Sequence, residues 1–305
     1  MEIKKIGLIG LGAIGSSLAV SFHTYFKDQF YIIAGGSRKE RLAKGVSINN
    51  QVYQFNFIEP QNDEPLDLIM ICTKFNHLPS VIEDIKNHVS DHTKIISFLN
   101  GVTSEGILID AFGKDKVIYG FTRISAVNID HQIVYKNSGT YYFGHPKNTI
   151  MQDDIKAIDQ LFTAAHIHHE IPEDMLAHQW FKYYCNVSEN QVSAVLDIPF
   201  GAWKVSDDAD HLRMMAGHEV YLIAKAKGID IKQEWIDQQR ALLSRIPYDN
   251  VCSMVQDLRQ KRHSEVDMFS KEVMKMGKEL NIPTPVNETL YHMIKVLEAK
   301  NDGDI

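Results

Sequence analysis

The sequence predicts an α/β fold, an N-terminal doubly wound sheet followed by an all-helical C-terminal domain, and three observations carry that expectation. Short apolar runs alternate with helix-length segments through the first part of the chain. A glycine-rich turn joins the first run to the first helical segment. Beyond Pro172 almost every segment spaces its apolar residues by three and four.

Residues 5–9, 30–34, 66–72 and 94–99 are compact runs rich in Ile, Leu and Phe, the pattern of strands buried on both faces. Between them, residues 14–26, 38–44 and 78–88 have helical length or spacing, and 104–112 adds a shorter helix. From 117 to 144 the signal changes to β-prone runs at 117–119, 133–135 and 140–143, separated by Asn, Asp and Gly; these are expected to close the sheet's edge as antiparallel strands. An amphipathic helix at 153–165 and a short strand at 167–170 complete a first domain of residues 1–171. Pro172 opens the second domain, residues 172–305, since a proline's missing N–H is not needed in a first helical turn. Its helices are expected at 175–190, 207–227, 233–244, 265–280 and 287–298.

The 305 residues are enough for two domains, each with its own core, and 44% hydrophobic with 23% charged residues is the composition of a globular protein. A formal charge of −7 and the lack of any Lys/Arg run argue against nucleic acid as a partner. The apolar run at the N-terminus is too short to span a membrane and has no small-residue cleavage site, so a cytoplasmic protein without membrane attachment is expected. Cys72, Cys185 and Cys252 are widely spaced, as reduced thiols would be, and form neither a disulfide frame nor a metal site. His166, His168 and His169 have no spaced carboxylate or cysteine partner and read as a half-exposed strand; no metal is expected.

Gly10-Leu11-Gly12-Ala13-Ile14-Gly15 fits G-x-G-x-x-G directly after the first strand and at the opening of the first helix, which makes the first domain Rossmann-type. In that setting Gly10 permits the tight turn, Gly12 lets a pyrophosphate approach the backbone, and Gly15 allows close packing of helix on strand. The phosphates lie at the helix N-terminus, on the amides around Ala13 and Ile14. About 20 residues further on, where a carboxylate would bond the ribose hydroxyls of NAD, the chain has Gly35-Gly36-Ser37-Arg38 and no acid before Glu40. Ser37 can donate to a phosphate and Arg38 can pair with one, so NADP (NADPH) is favoured; a solvated Arg38 would leave the choice open.

In the second domain Lys182, Asn186 and Asn190 stand four apart, which stacks them on one face of an aromatic-rich helix. A solvated face is the ordinary explanation of such a row; a site for a small anionic or carbonyl substrate is the sharper one. Three other segments could join it. Asn100-Gly101 follows the strand at 94–99, at the carboxyl edge where doubly wound sheets bind ligands. Ser253-Met254 and Glu265-Val266-Asp267 flank a short helical spacer. Singly, these read as a turn, a helix cap and a surface carboxylate.

Together the motifs resemble the ketopantoate reductase (2-dehydropantoate 2-reductase) family. The resemblance rests on Gly10-x-Gly12-x-x-Gly15, Thr73-Lys74 after the strand at 66–72, Asn100-Gly101, the Lys182-Asn186-Asn190 row, and Ser253-Met254 followed by Glu265-Val266-Asp267, in the family's order over nearly the whole chain. It implies a cleft between a Rossmann domain and a helical domain, with NADPH as hydride donor and a small-molecule 2-oxo acid as substrate, 2-dehydropantoate going to D-pantoate in pantothenate biosynthesis. It implies that Lys182 is the general acid, that Asn186, Asn190 and Ser253 hold the substrate, and that Asn100 lies near both substrate and nicotinamide ribose. Glu265 would pair with Lys182 or with the bound ligands, and Thr73 and Lys74 would contact the dinucleotide. The chemistry agrees: a lysine, with a pKa of about 10.4, carries a proton at neutral pH and can stabilise a developing alkoxide while supplying that proton.

One position departs from the family pattern. Phe200 stands where an asparagine commonly contacts the hydroxyl end of the substrate, and a phenyl ring cannot make that bond. The alternative is therefore a D-2-hydroxyacid dehydrogenase of the same family, acting on branched or aromatic 2-oxo acids and using NAD. A non-catalytic NADP-binding sensor is a third reading, against which Lys182 and Glu265 speak. An apolar helical domain could support a homodimer, although a core explains the same residues.

Overall fold

The computed structural model describes residues 2–124, 126–129, 132–135 and 139–305, with 126–129 and 132–135 described by their backbone. The chain divides into two compact units, Met1–Leu176 and Ala177–Ile305. Residues 172–176 are tied to the first unit by hydrogen bonds, from the Asn148 side chain to Pro172 O (2.7 Å) and from Asn148 N–H to Glu173 O (2.7 Å). A third runs from Leu176 N–H to Pro146 O (3.3 Å).

The strands of the first unit are β1 (Ile6–Ile9), β2 (Phe30–Ile33), β3 (Val46–Ile48), β4 (Gln51–Tyr53), β5 (Asn56–Ile58), β6 (Leu68–Ile71), β7 (Lys94–Ser97), β8 (Val117–Arg123), β9 (Ala126–Ile129), β10 (Gln132–Tyr135), β11 (Thr140–Gly144) and β12 (His169–Glu170). Eight of them form one sheet in the order β12-β11-β8-β7-β6-β1-β2-β5. From β5 to β8 all neighbours are parallel, and their chain order reads 3-2-1-4-5-6, the doubly wound arrangement. β11 closes the edge antiparallel to β8, and β12 adds parallel to β11.

Alternation along these strands buries both faces. Leu68 and Met70 of β6 join Ile96 of β7 under α1 (Ala13–Phe26) and α5 (Asp153–Ala164), in a core with Leu18, Phe22, Ile158 and Phe162. Ile69, Ile71 and Ile95 face the other way, onto Leu78, Val81 and Ile85 of α3 (Leu78–Ile85) and Leu108 of α4 (Ser104–Phe112). With each strand face burying apolar side chains, the sequence runs are apolar throughout rather than alternating.

Two parts of this unit differ from the sequence expectation. Residues 133–135 do not close the main sheet; they lie in β10, in a separate four-stranded sheet ordered β4-β3-β10-β9. The β3–β4 hairpin and the edge strand β5 were not expected at all. Their signal was present but short: Asn49-Asn50 sits between three-residue strands, with both asparagines at positive φ (48° and 63°), the geometry of a tight hairpin turn. Within the histidine cluster His166 and His168 are exposed, while His169 has structural partners. His169 stacks on Phe143 and its Nε2 meets Asp159 (2.9 Å), a carboxylate ten residues away on α5 that sequence spacing did not flag.

α6 (Met175–Cys185) begins in the last two residues of the first unit and runs on in the second, whose further helices are α7 (Gln191–Leu196), α8 (Asp207–Ala226), α9 (Gln233–Leu243), α10 (Ser253–Arg259), α11 (Glu272–Leu280) and α12 (Pro285–Asp302). α8 starts under the Ser206 cap, whose hydroxyl accepts from Ala209 N–H (3.2 Å). Its fully buried Arg213 is neutralised by Asp210, which also accepts from Arg240 (2.6 Å). Val192, Trp203, Ala216, Leu243 and Leu290 form the apolar centre around it.

Candidate active site

The nucleotide end sits where the fold changes direction. Strand order reverses between β1 and β6, and Gly10 follows the first while Cys72 and Thr73 follow the second. Gly10 has φ +102°, and a side chain there would meet the Cys72 backbone at 2.6 Å. At Gly15 a Cβ would lie 1.9 Å from Gly10 O and 3.0 Å from the Cys72 side chain, so helix and loop touch through this glycine. Gly12 differs from both. Among the described residues a Cβ there would meet nothing nearer than Cys72 O at 3.9 Å, so no neighbouring group requires glycine, and the backbone before the helix N-terminus is left open to approach.

That terminus has no side-chain cap and no acidic residue in its first turn, leaving its amides and the positive end of the helix dipole for an anion. Opposite, Thr73 Oγ1 is buried and lacks a hydrogen-bond partner among the described residues. This cradle fits a dinucleotide's pyrophosphate. Ala13 and Ile14 are half-buried beside it, Lys74 is exposed, and Asn100 is half-buried in the loop after β7.

Ser37 and Arg38 are exposed in the first turn of α2 (Gly36–Leu42). Tertiary structure brings acids here that the linear sequence does not show. Lys39 pairs with Glu59, which follows β5. Asp84 of α3 is raised above the ordinary carboxylate range by burial, with the Arg38 charge pulling the other way. Among the described residues no ion pair joins Arg38 to Glu59, and the Arg38 charge acts on the Asp84 carboxylate.

The Lys182 row stands in the second unit, and its helix is not uniform. α6 carries Lys182 and ends at Cys185; residues Asn186–Asn190 then form a π-helical turn, with backbone bonding lengthened to i→i+5, before α7 continues. The even stacking expected from 3.6 residues per turn is thus broken inside the row, and the wider turn changes the direction of the side chains across it. The row is not a solvated face: Asn186 is 5% and Asn190 9% exposed, with Lys182 half-buried.

The structure brings the Ser253 segment to the end of this row. The Cys252 thiol lies 3.6 Å from Asn190 O, and Ser253 is the exposed first residue of α10 rather than its cap. Burial pushes the Cys252 thiol up to about 11, so at neutral pH it is a protonated neighbour and no nucleophile. The same loop reaches Phe200, whose N–H donates to Asn250 O (2.7 Å), while Gly201 N–H donates to Tyr248 O (2.9 Å). Phe200 is half-buried against the apolar centre around Val192 and Trp203.

Glu265 is half-buried, and its carbonyl accepts from Met268 N–H (3.0 Å) and Phe269 N–H (3.2 Å) at the entrance to a second π-helical turn, Asp267–Lys271. Tyr183, next to Lys182, reaches this turn and donates to Phe269 O at 2.8 Å. Its phenol is held well above the usual range by burial, so it stays a donor. Sequence reasoning passed over Tyr183, Gln191 and Asn250, which carry no motif; their aromatic or amide character gains meaning only from the partners the fold supplies.

Comparison with known proteins agrees along the whole chain. Residues 6–148 match the family model Ketopantoate reductase PanE/ApbA, and residues 174–298 match its C-terminal counterpart. A 2-dehydropantoate 2-reductase of Pyrococcus horikoshii is 24% identical, over 98% of this chain and 99% of the relative. The oxidoreductase YkpB of Bacillus subtilis, described as uncharacterized, is 22% identical over 97% of this chain and 99% of its own. A solved structure of D-mandelate dehydrogenase with NADH and anilino(oxo)acetate superposes with a TM-score of 0.85 at 18% identity, covering 98% of this chain and 99% of that one, which shows a shared fold. With both halves matched, the chain belongs to the ketopantoate reductase family.

Proposed function

We propose that the chain is an NADPH-dependent 2-oxo acid reductase, with 2-dehydropantoate, reduced to D-pantoate for pantothenate biosynthesis, as its first candidate substrate. The observation that carries this reading is the buried amide row beside Lys182. Two buried, uncharged amides beside a half-buried lysine suit a small anionic ketone far better than they suit solvent.

In this reading Asn186 and Asn190 donate to substrate oxygens, and Ser253 bonds the carboxylate. Lys182 gives its proton to the ketone oxygen while its charge stabilises the alkoxide forming there. Glu265 orients Lys182 or the ligands, and Asn100 positions the ribose and substrate. Gly10, Gly12, Gly15 and the amides at Ala13 and Ile14 hold the pyrophosphate, with Thr73 and Lys74 beside it and Ser37 and Arg38 at the 2′-phosphate. The reduced nicotinamide, when bound, supplies the hydride, so that a 2-oxo acid, NADPH and one proton give a D-2-hydroxy acid and NADP.

A second reading rests on Phe200. Its ring packs into the apolar centre of the second unit and offers no polar atom to a substrate hydroxyl, which favours a branched or aromatic 2-oxo acid. The likeness to D-mandelate dehydrogenase, solved with NADH, supports the same alternative. Steady-state kinetics with 2-dehydropantoate, 2-ketoisovalerate and phenylglyoxylate, each with NADPH and NADH, separate the two. No advantage for 2-dehydropantoate in kcat/KM would overturn the first, and no turnover of any 2-oxo acid would overturn both.

A further inference from the structure

Both π-helical turns of the second unit are tied into one buried polar chain. Gln191, Ser270 and Asn287 are fully buried, and Glu219 is 6% exposed. Glu219, on α8, accepts from Val286 N–H (2.8 Å), Asn287 N–H (3.0 Å) and the Asn287 side-chain amide (2.7 Å). The Asn287 amide also donates to Ala216 O (3.1 Å). The Gln191 amide donates to Asn287 Oδ1 (3.0 Å) and to Val187 O (3.0 Å), a carbonyl inside the first π turn. Ser270, inside the second π turn, donates to Gln191 Oε1 and lies 3.2 Å from Asn287 Oδ1.

The orientation of every amide in this chain follows from its end. A carboxylate only accepts, so Asn287 must turn its NH2 to Glu219 and its oxygen to Gln191. Gln191 must then turn its NH2 to Asn287 and to Val187 O, leaving its oxygen for Ser270. No member can flip without burying an unmatched group, which costs more than a hydrogen bond contributes.

A π turn interrupts the ordinary i→i+4 ladder and persists where its surroundings specify it. Here Gln191 covers a carbonyl of the turn from one side, and Tyr183 braces the facing turn at Phe269 O. We propose that Gln191, Ser270 and Asn287 are positioning residues that hold the 186–190 turn in its widened form and so aim Asn186 and Asn190 at the substrate. This rests on the reading that those two amides bind the 2-oxo acid.

The test uses Gln191→Met, which keeps length but removes the donors, and the milder Ser270→Ala should the first fail to fold. The expected result is a KM for the 2-oxo acid raised about tenfold or more, with the dinucleotide Kd within about twofold of wild type. A lowered Tm with kcat, KM and Kd all unchanged is what a purely structural role gives, and it overturns the proposal. A crystal structure of the variant decides the matter independently of turnover: residues 186–190 reverting to i→i+4 bonding, or their amides turning away, supports it. An unchanged π turn with undisplaced Asn186 and Asn190 overturns it. If the wild-type protein reduces no 2-oxo acid, the functional reading fails, while the variant structure still answers for the positioning.

Discussion

Phe200→Asn introduces the amide that the family resemblance leads one to expect at this position, and its consequences can be worked out from the surroundings. The backbone at this point is pinned by the Phe200 N–H to Asn250 O and Gly201 N–H to Tyr248 O bonds, so the new side chain replaces the ring in place. A phenylalanine buries roughly 150–250 Å²; with about half of that lost from a half-buried ring, at about 25 cal/mol per Å², the change costs about 2 to 3 kcal/mol of packing. Against this, an amide that meets a substrate hydroxyl contributes about 1 to 3 kcal/mol of discrimination, or roughly 5- to 150-fold. The assay is the ratio of kcat/KM for 2-dehydropantoate over 2-ketoisovalerate, which lacks the hydroxymethyl group. The ratio should rise by that factor while Tm falls by several degrees. A variant that folds and leaves the ratio within twofold of wild type would refute the idea that position 200 reads the hydroxyl end of the substrate.

Four further outcomes are expected. Lys182→Ala should lower kcat by about 10²- to 10⁴-fold with dinucleotide affinity nearly intact; a near-wild-type rate would remove Lys182 from the proton transfer. Gly12→Ala should weaken dinucleotide binding at little change in Tm, because its Cβ meets no atom of the protein closer than 3.9 Å, whereas Gly15→Ala, at 1.9 Å from Gly10 O, should destabilise the fold itself. Equal Tm losses in the two would contradict the separation of roles. Arg38→Asp should shift preference from NADPH toward NADH, and an unchanged ratio of Kd values would discard the 2′-phosphate contact.

The fourth concerns acid stability. Burial alone would raise Asp154, but hydrogen bonds and charge from His145 and Lys94 prevail and hold its carboxyl far below the usual range. A group depressed in the folded state contributes stability above its unfolded pKa of about 3.9 and loses it as pH falls through that value toward the folded one. The difference in urea midpoint between wild type and Asp154→Asn should therefore shrink as pH falls below about 4. A difference that does not depend on pH would show that Asp154 acts through packing.

The sequence by itself determined the doubly wound sheet, the helical second half and the glycine turn, because buried parallel strands and amphipathic helices write their periods directly into the order of apolar residues. The positive φ of Gly10 and the close approach of Gly15 to Gly10 O were legible for the same reason, since both are set by neighbours along the chain, whereas the contact of each glycine with Cys72 was not. The amides of the Lys182 row could be read only as a spacing. That they are buried, that the turn carrying them is π-helical, and that Gln191, Ser270, Asn287 and Glu219 form a buried polar chain beside it depend on contacts 17 to 96 residues apart. The corner around Arg38 makes the same point: the sequence shows no acid before Glu40, yet strand order brings Glu59 to Lys39 and helix packing brings Asp84 to Arg38. Hydrophobic periodicity is a short-range code, whereas the polarity of a buried site is set by which distant groups must satisfy one another away from water.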